Sequence, residues 1–167
     1  MAKRVWFSKE KFKLMFDDQV NEYTSLGGNF FYGFLFFITF ALGYTAEMPE
    51  MMDAARVLLI AGILFTIVGF GLKYVVGRTR PNKVSLRWAS AMERMNDASF
   101  PSIHSGRAVI IAYTFGHLLP SFGKLIFWII MLGVPLTRVY LKKHFWSDII
   151  AGVLFGFLIA YGVRLVI

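Results

Sequence analysis

The chain has 167 residues, 57% of them hydrophobic and 17% aromatic, and a formal net charge of +8 at pH 7. Soluble domains are usually about 45–50% apolar, so the composition argues against a soluble globular protein and favours a membrane protein. The absence of cysteine excludes disulfides, thiol nucleophiles and thiolate metal sites. A chain of this length is expected to form a single domain, residues 1–167.

The first 26 residues differ from the rest of the chain. Residues 5–20 place several apolar side chains near one helical stripe, with lysines and aspartates elsewhere. Such an amphipathic helix can lie in the membrane interface, although a solvated leader helix explains the pattern equally well. The segment lacks the apolar run and small-residue cleavage site of a secretory signal peptide. We interpret residues 1–26 as an interfacial leader.

Long apolar segments follow the leader, and a membrane helix needs about 20 mainly apolar residues. The third is the weakest candidate, because it contains Arg107 and His117. A soluble chain this short has too little polar surface to cover so many apolar segments. We therefore predict an all-α, polytopic membrane helix bundle with about five transmembrane helices and the N-terminal amphipathic helix. The predicted spans are residues 29–46, 54–77, 102–119, 122–141 and 145–167.

Alternate loops of such a bundle share one side of the membrane. The N-terminus, the long loop 78–101 and the junction 138–144 fall on the same side, where four helix ends meet. All but three of the lysines and arginines also lie there, the exceptions being Arg56, Lys124 and Arg164. The positive-inside rule places this side in the cytoplasm.

The second predicted span ends in "GLKYVVGRTRP". Lys73 and Arg80 are two helical turns apart and share a face if the helix continues. Taken singly, a lysine here usually snorkels to the interface, and an arginine beyond it is usually a topology charge.

The third span begins with "FPSIHSGRA". Pro101 suits the first helical turn, and the free amides that follow form an anion site at the helix N-terminus. Ser102 adds a hydroxyl, and His104 falls within this turn. A lone histidine at a membrane helix end is more often an interfacial polar residue than a catalytic one.

The fourth span ends in "VPLTRVYLKKH" and the fifth begins with "HFWSDIIAG". His144 and Asp148 have i, i+4 spacing, which puts them on one helix face. Asp148 can then accept from one imidazole nitrogen and leave the other as a nucleophile. Small residues continue this face and allow close helix packing, so the pair is expected to face the bundle interior. These residues are Gly152, Gly156 and Ala160.

Together the four helix ends offer cations, a helix N-terminus and two histidines. Cations and a helix N-terminus favour an anion with several oxygens, and the histidines offer a nucleophile and an acid. No dense set of carboxylates is present to hold a metal. The combination predicts metal-independent phosphoryl transfer, with no cofactor, catalysed by positioning and charge stabilisation. The cations are Lys73, Arg80 and Arg138.

These residues resemble the motifs of type 2 phosphatidic acid phosphatases. "KYVVGRTRP" matches the family's K-x6-R-P pattern, "PSIH" is similar to its P-S-G-H element, and "TRVYLKKHFWSD" is similar to its S-R-x5-H-x3-D element. Ile103 replaces the usual glycine but keeps its backbone amide, and Thr137 replaces the usual serine but keeps a hydroxyl. The family core usually has six helices, so the first is missing here or replaced by the leader.

The resemblance implies a role for each matching residue. His144 attacks phosphorus and forms a phosphohistidine, Asp148 orients His144, and His104 protonates the leaving oxygen and then activates water. The phosphate oxygens are held by Lys73, Arg80, Ser102, Arg138 and the amide of Ile103.

The expected substrate is an amphiphilic, anionic lipid phosphate. Family members act on phosphatidate, phosphatidylglycerophosphate, polyprenyl diphosphates and lipid A 1-phosphate. We expect a bacterial inner membrane protein whose partners are the membrane and its lipids, without nucleic acid. An outward-facing site is expected from the family, against the charge rule. The loop 78–101 either reads the headgroup or covers the site. The alternatives are a lipid phosphotransferase, a haloperoxidase-like variant, against which the membrane spans argue, and a catalytically idle membrane interaction protein.

Overall fold

The computed structural model describes residues 9–82 and 90–167, apart from the side chains of residues 9–12 and Arg94. Residues 5–8 of the predicted leader helix and residues 83–89 of the predicted loop lie outside this described part. Within it, the chain forms only helices and connecting turns, which confirms the all-α prediction. The α-helices are α1 Lys9–Thr24, α2 Asn29–Thr45, α3 Pro49–Val76, α4 Ala91–Asp97, α5 Ile103–Gly116, α6 Ser121–Tyr140 and α7 Trp146–Val166, with a 3-10 turn at Ser25–Gly27.

Helices α2, α3, α5, α6 and α7 coincide with the five predicted apolar segments, apart from small differences at their ends. By length and composition, α3, α6 and α7 can each cross a membrane. Residues 13–27 and α2, separated by a 47° bend, are together long and apolar enough to cross a membrane, and they make a fourth span if the pair is counted as one. The protein is therefore an integral membrane protein with three or four such spans in its described part.

Helix α5 is the third predicted span, and it is too short to cross a bilayer alone. Its 14 residues extend about 21 Å at 1.5 Å per residue, whereas the hydrocarbon core is about 30 Å thick. Nearly all of its side chains are buried against α3, α6 and α7. The apolar residues of α5 thus form the centre of the bundle instead of a lipid-facing surface. This arrangement brings the N-terminus of α5 into the protein interior.

Close packing of α5 and α7 depends on glycine. A Cβ atom on Gly152 would lie 2.5 Å from the carbonyl oxygen of Ser102, and one on Gly156 would lie 2.5 Å from that of Gly106. Both distances are far below van der Waals contact, so a side chain at either position would push the helices apart. The small-residue face predicted for α7 is therefore confirmed as a helix-packing seam.

The described part of the leader packs along α6. The Tyr140 hydroxyl donates to Asp17 Oδ1 at 2.8 Å, and Lys143 Nζ donates to Asn21 Oδ1 at 2.9 Å. The rings of Phe16 and Tyr140 meet edge to face, with centroids 5.8 Å apart. These contacts hold α1 close to the junction of α6 and α7, so the 3-10 turn that follows α1 reaches the end of the bundle where α5 begins.

Candidate active site

Four helix ends meet at one end of the bundle: the C-termini of α3 and α6 and the N-termini of α5 and α7. Backbone hydrogen bonds tie their connections together. The Ser99 amide donates to the Arg78 carbonyl at 2.7 Å, and the Ser102 amide donates to the Asp148 carbonyl at 3.0 Å. At this end of the bundle lies a cavity of about 180 Å³, whose polar lining includes Lys73, Arg80, His104, Arg107 and His144.

His144 lies in the turn between α6 and α7 and is almost completely buried. Its Nδ1 atom is 2.7 Å from the carbonyl oxygen of Ser99. A carbonyl only accepts hydrogen bonds, so Nδ1 carries the proton and Nε2 keeps a lone pair. Burial lowers the pKa of His144 below its usual value of 6.5, which favours the neutral ring. The side chain thus has the tautomer and charge state of a nucleophile.

Asp148 is fully buried near His144 but does not make the predicted hydrogen bond. Its Oδ2 atom is 3.8 Å from His144 Nδ1 and instead accepts from the Phe145 amide at 2.9 Å. The i, i+4 argument fails because α7 begins at Trp146, so His144 lies before the helix and not on its face. The Ser99 carbonyl orients the ring, and Asp148 contributes a nearby negative charge.

Arg78 was missed by the sequence analysis. Its Nη1 atom donates to Asp148 Oδ1 at 2.9 Å and to Ser147 Oγ at 2.6 Å. Its guanidinium also lies 4.0 Å from the centre of the Phe145 ring. These contacts anchor Asp148 through its Oδ1 atom, whereas the contact with His144 is through Oδ2. In the sequence, nothing distinguishes Arg78 from the other basic residues of its loop.

The three predicted phosphate-binding cations lie around two neighbouring cavities. Lys73 and Arg80 line the 180 Å³ cavity, where Lys73 Nζ donates to the Ala98 carbonyl and Arg80 Nη2 donates to the Asn96 carbonyl at 3.0 Å. Arg138 lines a second cavity of about 570 Å³ and is 3.5 Å from the Thr24 hydroxyl, at the end of the leader. The Nε atoms of Arg80 and Arg138 are buried without a hydrogen-bond partner in the described residues.

His104 lines both cavities, in the first turn of α5. Among the residues that the structure describes, none forms a hydrogen bond with its ring. His104 is also half-buried, whereas His144 is almost completely buried. His104 therefore has the access and the free nitrogen atoms that an acid or base requires.

Ser102 does not lie at the position that the sequence predicts for a phosphate ligand. It is fully buried and lines neither cavity. Its hydroxyl accepts from Ser105 at 2.8 Å, and its amide is bonded to Asp148. Helix α5 begins at Ile103 with Ser102 as the N-cap, so Pro101 also lies outside the predicted first turn. Ile103, by contrast, lines the 180 Å³ cavity.

Comparison with known proteins identifies a family and a related fold. The sequence profile of the PAP2 superfamily matches residues 51–167. The fold is similar to the crystal structure of the first transmembrane PAP2 type phosphatidylglycerolphosphate phosphatase from Bacillus subtilis. That match has a TM-score of 0.68 and 27% sequence identity, and covers 90% of this chain and 75% of the other. No curated protein sequence matches the chain.

Proposed function

Because the chain belongs to the PAP2 superfamily and is a membrane lipid phosphatase, we propose that it hydrolyses a phosphate monoester or diphosphate of an amphiphilic lipid through a phosphohistidine on His144. The observation that carries this proposal is the 180 Å³ cavity, where His144 and His104 lie with Lys73 and Arg80. A neutral imidazole nucleophile, a second histidine and two cations are what metal-independent phosphoryl transfer requires.

In the first step, the lone pair of His144 Nε2 attacks phosphorus. An N–P bond forms and the bond from phosphorus to the lipid oxygen breaks. Protonated His104 donates its proton to the leaving oxygen, which departs as an alcohol or as a lipid monophosphate. The His144 ring then carries a positive charge, which the nearby Asp148 carboxylate stabilises.

In the second step, water releases the phosphate. Neutral His104 takes a proton from the water as its oxygen attacks phosphorus, and the N–P bond breaks. Inorganic phosphate leaves, and His144 regains its lone pair while His104 is again protonated. The same group thus serves as acid and then as base, which returns the site to its starting state.

Side-chain cations stabilise the charge on the phosphate oxygens in both steps. Lys73 and Arg80 act from the cavity that holds the nucleophile, and Arg138 acts from the neighbouring cavity across His104. The amide of Ile103, the first residue of α5, adds a donor at the positive end of the helix dipole. Ser102 stabilises this turn through its hydrogen bonds to Ser105 and Asp148.

The natural substrate is one of the lipid phosphates on which family members act. The Bacillus subtilis protein is described as a phosphatidylglycerolphosphate phosphatase, and we place phosphatidylglycerophosphate among the candidates for this chain with phosphatidate, polyprenyl diphosphate and lipid A 1-phosphate. We further propose that the protein lies in a bacterial inner membrane with its site facing outward. Labelling of the exposed Ser90→Cys variant in intact cells by a membrane-impermeant maleimide tests this orientation, and labelling only after lysis would contradict it.

Phosphate release from a panel of these lipids tests the proposed activity. The purified protein in detergent with excess EDTA is expected to release phosphate from at least one of them, because side chains supply all the positive charge. His144→Ala is expected to abolish the activity. His117→Ala, at the opposite end of α5, is the matched control and should keep it. Activity that disappears with EDTA and returns with magnesium would contradict the metal-independent mechanism.

A further inference from the structure

Arg107 is a buried cation that the proposed mechanism does not use. It lies in α5 one turn beyond His104 and is only 8% exposed. Its guanidinium donates to Asn29 Oδ1 and, at 3.1 Å, to Thr66 Oγ1, and it lies 5.7 Å from the centre of the Tyr32 ring. In residues 9–82 and 90–167, none of the ion pairs involves Arg107, and its Nε atom has no hydrogen-bond partner.

This environment leaves the charge of Arg107 uncompensated. Its partners are a neutral amide, a hydroxyl and an aromatic ring, and a buried charge is costly unless it is paired. An arginine that only sets topology would extend to the membrane surface, where water and lipid headgroups solvate it. Arg107 is instead enclosed by α2, α3 and α5, so an anion that enters the site would provide its missing partner.

The position of Arg107 indicates which part of a lipid it would meet. It lines the 180 Å³ phosphate cavity on one side. On the other side it lines an apolar groove of about 320 Å³ between α2 and α3, formed by side chains such as Phe36, Leu59 and Ile63. Ile63 is also exposed on the outer surface of the bundle. A lipid with its reacting phosphate beside His144 and a chain in this groove would place the group between them at Arg107.

We propose that Arg107 binds a second phosphate of the substrate and thereby selects lipids that carry two phosphates over lipid monophosphates. This inference rests on the proposed phosphatase activity. A neutral ester carbonyl at the same place would leave the guanidinium charge uncompensated, whereas a phosphate supplies negative charge and several acceptors for the planar fork of arginine. The second phosphate is joined to the first through one bridging oxygen in a polyprenyl diphosphate, and it lies across a glycerol in phosphatidylglycerophosphate.

The test compares kcat/KM for three lipids in mixed micelles: phosphatidate, phosphatidylglycerophosphate and a polyprenyl diphosphate. The wild-type protein is expected to prefer at least one of the two-phosphate lipids to phosphatidate. Arg107→Gln should lower kcat/KM for the preferred lipid by about 10- to 100-fold, the usual effect of losing a charged hydrogen bond. For phosphatidate the change should stay within about threefold. The lipid that shows the selective loss identifies which spacing of the two phosphates the site accepts.

Two further variants keep the test decisive. Arg107→Lys retains the positive charge without the planar guanidinium group, so it should show a smaller selective loss. This variant provides the test if Arg107→Gln does not fold. Arg164→Gln removes an exposed cation at the far end of α7 and should change none of the three values. Equal losses on all three lipids, or no loss on any, would overturn the assignment of Arg107. A wild-type protein that releases phosphate from none of the lipids would instead refute the proposed function.

Discussion

The substitution Asp148→Asn removes one buried negative charge beside His144 and keeps the size of the side chain. The carboxylate lies 3.8 Å from His144 Nδ1, too far for a hydrogen bond, while the Ser99 carbonyl already holds the ring in its tautomer. The substitution therefore leaves the orientation of the nucleophile in place. What it removes is the stabilisation of the positive charge that develops on the ring as the N–P bond forms.

The distance sets the size of this effect. Two unit charges 3.8 Å apart interact by about 4 kcal/mol at an effective dielectric constant of about 20. Since about 1.4 kcal/mol corresponds to a tenfold change in rate, the upper limit of the loss is about 10³-fold. Arg78, 2.9 Å from the other carboxylate oxygen, remains in the variant, so the two proteins differ by the carboxylate charge alone. Only part of a unit charge has developed on the ring in the transition state, so we expect kcat to fall about 10²- to 10³-fold, with little change in lipid binding.

Turnover and binding are measured separately. Phosphate release under saturating lipid reports kcat. Binding of a non-hydrolysable phosphonate lipid reports the affinity, which we propose that Lys73, Arg80 and Arg138 provide. Asp53→Asn is the matched control, because Asp53 forms an exposed ion pair with Arg56, 2.8 Å apart, near the start of α3. This control should behave like the wild type in both assays.

A second variant separates loss of charge from loss of folding. Asp148→Asn also leaves Arg78 without its ion-pair partner. The double variant Arg78→Gln/Asp148→Asn therefore removes both charges. If the missing carboxylate slows the chemical step, the double variant stays slower than the wild type but is faster than the single variant, because the charge of Arg78 no longer opposes the positive charge on the ring. Full recovery of activity in the double variant, or normal turnover in the single one, would refute the electrostatic role of Asp148.

Three other predictions follow from the site. In the first turnover, His104→Ala should slow release of the alcohol from lipid alkyl phosphates by about 10²- to 10⁴-fold. It should affect first-turnover release of p-nitrophenolate much less, because p-nitrophenolate leaves without a proton. A first-turnover measurement excludes the later step in which His104 acts as the base, so equal losses would argue against His104 as the acid. Vanadate should inhibit the wild-type protein, because it mimics the pentacoordinate phosphorus at His144. A binding assay should show that His144→Ala no longer binds vanadate, and a wild-type protein that vanadate does not inhibit would contradict the proposed nucleophile. In the pH profile of kcat, the fall in activity at acidic pH should lie below pH 6.5, because burial lowers the pKa of His144 from 6.5 and the neutral ring persists at lower pH. Asp148→Asn should move this fall to still lower pH, because the carboxylate raises the pKa of His144. A shift to higher pH would contradict this reasoning.

Apolar periodicity and helix-end chemistry were sufficient to predict much of this protein. The five apolar helices, the end of the bundle that carries the polar residues and the small-residue face of α7 all follow from local patterns in the sequence. Such patterns are readable because a helix places residues three and four apart on one face, whatever surrounds it. The residue types in the "KYVVGRTRP", "PSIH" and "TRVYLKKHFWSD" segments similarly predicted the phosphatase family.

Contacts between distant segments were decided only by the tertiary structure. The hydrogen bond of His144 to the Ser99 carbonyl joins residues 45 positions apart, and that of Arg78 to Asp148 joins residues 70 apart. No local spacing encodes a backbone carbonyl as the partner of a side chain, so the sequence assigned that role to Asp148. Likewise, α5 resembles a weak membrane span in isolation, and only its enclosure by α3, α6 and α7 makes it the central helix. Its Arg107 is buried against α2 and α3, between the 180 Å³ cavity and an apolar groove.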